Sequence, residues 1–309
     1  MRVLVTGGAG FIGSHICDAL LASGHAVTVL DDLSTGRALN VPSAAVFCRG
    51  DLRDEAFVAS VFAEHGPEVV CHQAAQTSVA VSTREPVRDA QVNVVGSLNL
   101  LQQCVKHGVK RVVYASTGGA VYGEVPDGQR ATIAWPPRPL SPYACSKLAV
   151  EHYLLGYRHE HGLQSTVLRY ANVYGPRQDP HGEAGVIAIF GQRLLDGKPI
   201  QINARTQVGD PGCVRDYVYV GDVVRWNCLA IEGQVAERVV NVCTGQATTT
   251  LELARAMATA LGVTPELRHG PRRAGDVERS VLEDPAAHAR VAPTGLDKGL
   301  AATCAWLRT

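Results

Sequence analysis

R-V-L-V-T-G-G-A-G-F-I-G occupies residues 2–13. An apolar run of strand length ends at Thr6, glycine follows at once, and from Phe11 the apolar spacing turns helical. Gly7, Gly10 and Gly13 fall in a G-x-x-G-x-x-G pattern. Such a strand–turn–helix needs residues without Cβ where the backbone must come close to a pyrophosphate and where helix must pack on strand. The helix N-terminus adds unpaired N–H groups and a partial positive charge. Gly7, Gly10, Phe11, Ile12 and Gly13 are therefore the first candidates for binding a dinucleotide. Glycines alone are weak evidence, but the context the motif requires, strand before and helix after, is present.

The rest of the chain repeats this alternation. Strands are expected at 2–6, 26–30, 44–48, 68–72, 111–116, 165–170 and 238–243. They are nearly continuous in apolar character, as in a parallel sheet covered on both faces. Helical patterns lie at about 11–23, 54–64, 88–107, 142–161, 186–196, 221–231 and 249–261. The order predicts an α/β fold, a doubly wound parallel sheet of about seven strands with a smaller mixed C-terminal domain. Residues 171–214, and those after about 244, are mixed and loop-rich. The expected division is 1–170 plus about 215–243 for the dinucleotide-binding domain, and 171–214 plus about 244–309 for the second. Five prolines between 124 and 142 mark a loop over one end of the sheet.

The second strand runs into Asp31-Asp32. A carboxylate there accepts hydrogen bonds from an adenosine ribose and repels a 2′-phosphate, which favours NAD over NADP. Asp51 and Leu52, after the third strand, look placed for adenine; helix capping is the alternative for both aspartates. Farther on stands S-P-Y-A-C-S-K, 141–147. Ser141 is a good N-cap and Pro142 a good first helical residue. Tyr143 and Lys147 then project from one face of the helix. An ammonium beside a phenol lowers the phenol's pKa, which makes Tyr143 a candidate general base with Lys147 as its partner.

Composition narrows the function classes. The chain has 309 residues and a net charge of zero, with no basic excess of the kind a duplex-DNA binder shows. No apolar run reaches the roughly 18 residues of a membrane span, and the N-terminus does not read as a signal peptide. Nine cysteines without a C-x-x-C read as buried thiols in a reducing cytoplasm. His159 and His161 beside Glu160 lack further ligands nearby, so no metal is expected.

The chain resembles the extended short-chain dehydrogenase/reductases and, among them, the UDP-sugar 4-epimerases. The resemblance spans essentially the whole chain. Its anchors are T-G-G-A-G-F-I-G (6–13), H-Q-A-A-Q (72–76), S-P-Y-A-C-S-K (141–147), R-Y-A-N-V-Y-G-P-R (169–177), V-R-D-Y-V-Y-V-G-D (214–222) and R-R-A-G-D (272–276). It implies an NAD-dependent isomerase inverting C4 of a UDP-hexose, with Tyr143 exchanging the proton of the 4-hydroxyl. It implies that Ala74, Gln76 and Tyr170 join the cofactor site. Arg215 and Arg273 become the diphosphate clamp, Asp276 a ribose contact, Gln201 and Asn203 uracil contacts, and Asn172 a sugar contact. The alternative for Arg215 is a salt bridge to Asp216 or Asp222. A homodimer through the long helices is a further implication.

In S-T-G-G-A-V-Y-G, 116–123, relatives place a catalytic hydroxyl at the strand end. Alignment from the strand makes it Thr117; counting back from Tyr122 reaches Gly118, which has none. Thr117 is therefore assigned to the substrate hydroxyl and Ser116 to the cofactor side. The Asp-Glu pair that related dehydratases carry after this hydroxyl is missing, since Gly118-Gly119-Ala120 follow. The rival sugars are UDP-glucuronate and UDP-N-acetylhexosamines. The rival class is a non-catalytic NAD-binding protein on the same fold. Ser280, small and four past Asp276, is expected to leave room for a substituted sugar, or else to begin a surface strand.

Overall fold

The computed structural model describes residues 1–180, 185–273 and 275–309. It divides into two units. Unit 1 is Met1–Thr117, Ser141–Arg169 and Val224–Val240; unit 2 is Gly118–Leu140, Tyr170–Val223 and Asn241–Thr309.

Unit 1 is built on a parallel sheet of seven strands: β1 (Arg2–Thr6), β2 (Ala26–Asp31), β3 (Val46–Arg49), β4 (Val69–His72), β5 (Arg111–Thr117), β6 (Gln164–Tyr170) and β11 (Val239–Val242). Their order is β11-β6-β5-β4-β1-β2-β3. The chain winds one way from β1 to β3, then resumes on the other side of β1 with β4. Ligands of open α/β sheets bind at such a reversal, at the carboxyl ends of the strands. The helices are α1 (Phe11–Ala22), α2 (Glu55–His65), α3 (Val79–Arg84), α4 (Pro86–Ala90), α5 (Gly96–Lys106), α7 (Pro142–His161) and most of α9 (Val220–Ile231). Local sequence sets their ends. Asp54 caps α2 through the Phe57 N–H. Ser141 caps α7 through the Ala144 N–H, Pro142 opens it, and Gly162 at φ 68° closes it. Leu4, Leu30, Phe62, Val70, Leu100 and Leu154 lie at the centre of the core.

The helix expected over 88–107 is a continuous helical run, 86–106, with a π-helical turn inside it. A π-helical segment, Gln91–Val95, joins α4 to α5. Asn93 in that segment turns its amide to the Gln76 backbone and to Asp89. Gly96, just after it, lies against Leu52, where a Cβ would stand 3.1 Å from the leucine Cβ.

Unit 2 uses much shorter strands. Its elements are α6 (Gly118–Val121), β7 (Asn172–Tyr174), α8 (Val186–Leu195), β8 (Ile200–Asn203), β9 (Val214–Arg215), β10 (Tyr217–Tyr219), β12 (Thr248–Thr249), α10 (Thr250–Leu261), β13 (Leu267–Gly270), β14 (Arg279–Ser280), α11 (Pro285–Arg290) and α12 (Leu296–Leu307). They form three small sheets, β10-β7, β12-β9-β14 and β13-β8. α10 starts with a reciprocal capping box between Thr249 and Glu252. The core gathers Tyr174, Phe190, Ile202, Leu253, Met257 and Leu300.

The division differs from the expected one in two segments. Residues 118–140 fall in unit 2 because the chain there hydrogen-bonds to β14 and its flank: Val125 N–H to Arg279 O, Ala131 N–H to Val281 O. The Arg279 guanidinium also donates to the carbonyls of Val125, Pro126 and Gln129. Residues 215–223 fall there because β9 and β10 pair within unit 2.

Candidate active site

The glycine turn has the shape its sequence predicts. Gly7 takes φ 70°, in the left-handed region. A Cβ on it would stand 2.6 Å from the Ala74 nitrogen, and one on Gly13 would stand 2.2 Å from the Gly7 oxygen. No side chain caps α1 and no acid lies in its first turn, so the N–H groups at Phe11, Ile12 and Gly13 are open to an anion. Asp31 is buried at the end of β2 and accepts from Ala9 N–H (3.0 Å) and Leu33 N–H (2.8 Å). Burial pushes its pKa up, against the pull of those two bonds. Each oxygen keeps a lone pair, as a ribose diol requires. These features fit a dinucleotide. Asp51 is forked by Arg53, whose side chain reaches both carboxylate oxygens and holds the pKa down. Leu52 is buried beside it.

At the other carboxyl end, Thr117 closes β5, and its hydroxyl lies near enough to the Tyr143 phenol of α7 to pull the phenol's pKa down. Lys147 is buried one turn on, donates from Nζ to Ala115 O at 2.9 Å and stands 5.0 Å over the Tyr114 ring. One expectation is corrected here. Burial pushes the Tyr143 pKa up to about 12, Asp89 adds to the rise, and of the chain's own groups the Thr117 hydroxyl is what lowers it. For Lys147, burial brings its own pKa down to about 8, and its ammonium donates to the Ala115 carbonyl.

Ser116 is a second correction. Its hydroxyl donates to Glu151 at 2.5 Å, away from the cofactor role expected of it. Glu151 is paired in the interior with Arg169. The two adjacent hydroxyls therefore point at different partners, as alternation along a strand requires. Gly118 and Gly119 open α6, where a Cβ on Gly119 would come 3.6 Å from the Asn172 amide.

Unit 2 holds the expected nucleotide-sugar residues. Asn172 donates to Asp216 O. Gln201 and Asn203 lie on the same face of β8, joined by a 2.7 Å bond between their amides. Arg215 donates to the Val214 carbonyl. It makes no salt bridge to Asp216, whose carboxylate is taken by Thr244, Gly245 and Leu282, nor to Asp222. Arg273 is exposed and Asp276 half-buried. Tyr170 is buried at the end of β6. Ser280 departs from expectation: at 1% exposure in β14, level with Arg215 of β9, it is neither at a roomy wall nor on a surface strand.

A family model described as NAD dependent epimerase/dehydratase matches residues 3–243. The chain belongs to this family. Within it, the chain falls in the UDP-sugar 4-epimerase branch of the extended short-chain dehydrogenase/reductases. A UDP-glucose 4-epimerase of Thermus thermophilus, solved in complex with NAD, superposes with a TM-score of 0.96 at 55% identity, covering 100% of this chain and 99% of that one. A UDP-glucose 4-epimerase of Thermotoga maritima, solved with UDP-glucose, gives 0.93 at 46% identity, covering 100% and 99%. A UDP-glucose 4-epimerase of Mycolicibacterium smegmatis is 46% identical over 92% of this chain and 90% of its own length.

This epimerase-family chain also buries a polar network that joins residues of separate sequence motifs. His72 bridges Thr6 (2.7 Å) and Ser97 (2.9 Å), and burial brings its pKa down to about 3, so the ring is neutral. Ser97 donates on to the Asn93 carbonyl, and Asn93 joins Gln76 to Asp89. Gln76, expected at the cofactor, spends its amide on Asp89, Ser78 O and Ser78 N–H. Asp89 ends the network at Ser146 of α7. Signals existed: Arg169 stands inside an otherwise apolar strand, and Asp89 and Asn93 interrupt an apolar helical pattern. Among the described residues no cluster of metal-ligating side chains occurs, all nine cysteines are free, and no helix is long and apolar enough to cross a membrane.

Proposed function

We propose that the protein inverts C4 of a UDP-hexose of the UDP-glucose/UDP-galactose kind, with NAD as its cofactor. The observation that carries this reading is Tyr143 and the buried Lys147 one turn apart on α7, with Lys147 Nζ held 2.9 Å from Ala115 O near the end of β5, the strand that Thr117 closes. The open first turn of α1 takes the pyrophosphate, and Asp31 the adenosine ribose, excluding a 2′-phosphate by charge. Asp51, Leu52 and Ala74 complete the adenine and turn contacts. NAD, when bound, would supply the hydride acceptor for C4 of the sugar and the donor for the hydride's return to the opposite face.

Tyr143 takes the 4-hydroxyl proton at its Oη and gives it back in the second half-reaction, so no net proton is consumed. Thr117 holds the reacting oxygen in line with that phenol. In unit 2, Arg215 and Arg273 bind the diphosphate through guanidinium forks. Asp276 takes the uridine ribose, Gln201 and Asn203 the uracil edge, and Asn172 the sugar. Elimination needs an added acid. The first one after Thr117, Glu124, has its carboxylate on the backbone N–H groups of Glu278 and Arg279. That favours epimerisation over dehydration. The buried Ser280 lends no support to a bulkier UDP-sugar.

The test is to incubate the purified protein with UDP-glucose, UDP-galactose, UDP-glucuronate and UDP-N-acetylglucosamine and follow C4 epimers by NMR. Interconversion of the first two is expected, and no epimer from any of the four would sink the reading. We also assign the protein to the cytoplasm, where its free thiols stay reduced. A second copy docks on α5 and α7, where Val105, Tyr153 and Leu155 are exposed. Sedimentation should give a dimer that Tyr153→Glu dissociates; a monomeric wild-type protein would refute it.

A further inference from the structure

Asp89 lies at the meeting of two parts of the site that the mechanism treats separately. It is fully buried on α4. Its three hydrogen bonds come from neutral groups: Gln76 Nε2 at 2.8 Å, Asn93 Nδ2 at 3.0 Å and Ser146 Oγ at 2.5 Å. Among the described residues no ion pair reaches it, in contrast to Glu151 with Arg169. A buried carboxylate satisfied by neutral donors alone is costly, and an apolar side chain would be cheaper there. Gln76 follows β4 in the segment whose Ala74 closes on the Gly7 turn. Ser146 sits on α7 next to Lys147 and one turn from Tyr143.

We propose that Asp89 is a positioning residue: its carboxylate sets the charge balance between Lys147 and Tyr143 and, through Gln76 and Ser146, ties that balance to the loop the cofactor occupies. This rests on the reading given under Proposed function. The charged and titratable groups around Asp89 are Tyr143, Lys147 and Glu151 on α7, Tyr114 on β5, and neutral His72 on β4; Arg84 of α3 and Arg88 of α4 are exposed and turned to Glu85. A negative charge raises the proton affinity of both partners. For Lys147 that offsets burial and keeps the ammonium; for Tyr143 it adds to burial and keeps the phenol. The chain by itself therefore holds the proton on Tyr143. A cation close by is needed to release it, and the oxidised nicotinamide is one while the reduced ring is neutral. Asp89 thus makes the tyrosine a base in the oxidative half-reaction and an acid in the reductive one.

The experiment titrates the tyrosinate absorbance of the NAD-loaded protein, with Tyr143→Phe subtracted, in the wild type, Asp89→Asn and Ser146→Ala. Asp89→Asn is expected to lower the Tyr143 midpoint by about one pH unit. The acid limb of kcat should move with it. Ser146→Ala keeps the charge and should move the midpoint much less. An unchanged midpoint in Asp89→Asn, with only Tm lowered, would overturn the proposal. If Asp89→Asn does not fold, carboxyl carbon-13 NMR of the wild type decides. The Asp89 signal must step at the Tyr143 midpoint and lose that step in Tyr143→Phe, and a flat signal overturns the proposal. Failure of the functional reading looks different, because no UDP-sugar would turn over while the midpoint with NAD⁺ alone stayed measurable.

Discussion

In unit 1 Arg169 meets Glu151 in the interior, and Ser116 adds a third member to the pair. In unit 2 Arg215 and Arg273 meet no carboxylate among the described residues, although acids are plentiful there. The contrast follows what each unit has to do. A proton must move between groups whose positions and charges are fixed beforehand, and in unit 1 the polar residues around α7 are tied to one another, Glu151 to Arg169 and Ser116, and Asp89 to Ser146. A diphosphate brings its own charge, and guanidiniums without a carboxylate partner can receive it. The sheet strands of unit 1 run from four to seven residues, whereas the strands of unit 2 have two to four.

The sharpest way to break this contrast is to cut unit 1 at its chemical group. Tyr143→Phe should lower kcat by about 10³-fold or more while Tm and NAD binding hold, because one hydroxyl goes and the ring stays. Thr117→Val should cost roughly 10²–10³-fold in kcat, the usual effect of losing one hydrogen bond to a reacting oxygen. Ser116→Ala should act through stability instead, by about 1 kcal/mol, since its bond serves the Glu151–Arg169 pair. Rates and melting curves on the three variants separate the two hydroxyls. If Ser116→Ala proved worse in kcat than Thr117→Val, with NAD still bound, the network in unit 1 would be part of the chemistry.

The same contrast explains what the sequence could and could not reveal. All seven sheet strands are legible, because long apolar runs and glycine turns are local signals. So are Tyr143 and Lys147, which share one helix face. The network around Asp89 is not, because Gln76, Asn93 and Ser146 come from three separate segments and nothing local says that they meet on one carboxylate. The placement of the Lys147 ammonium escapes the sequence for a related reason. Spacing along a helix gives a direction, but burial and the Ala115 carbonyl decide where the ammonium goes. In unit 2 strands of two residues carry no period, so β9, β12 and β14 have no sequence signature. The assignment of 118–140 to unit 2 depends on Arg279, more than a hundred residues farther along the chain.

The smallest expected effect concerns Ser280, where unit 2 could still behave like a chemical wall. Its Cα is level with Arg215 across β14 and β9, its carbonyl accepts the Asp216 N–H at 3.0 Å, and its side chain is buried. A tyrosine there has no open space to enter, so Ser280→Tyr overpacks the small sheet at a cost of about 1–3 kcal/mol. The strain passes first to Arg215, the register partner, and hence to the grip on the diphosphate that every UDP-sugar shares. The expected outcome is a lower Tm and a common fall in kcat/KM for UDP-glucose, UDP-glucuronate and UDP-N-acetylglucosamine, to the extent that each is turned over, with their ratios unchanged. A wall facing the hexose would behave otherwise, because the larger sugar would be excluded selectively while Tm stayed in place. A selective loss at constant Tm would therefore return Ser280 to the sugar pocket. It would also show that unit 2 discriminates by shape as well as by charge.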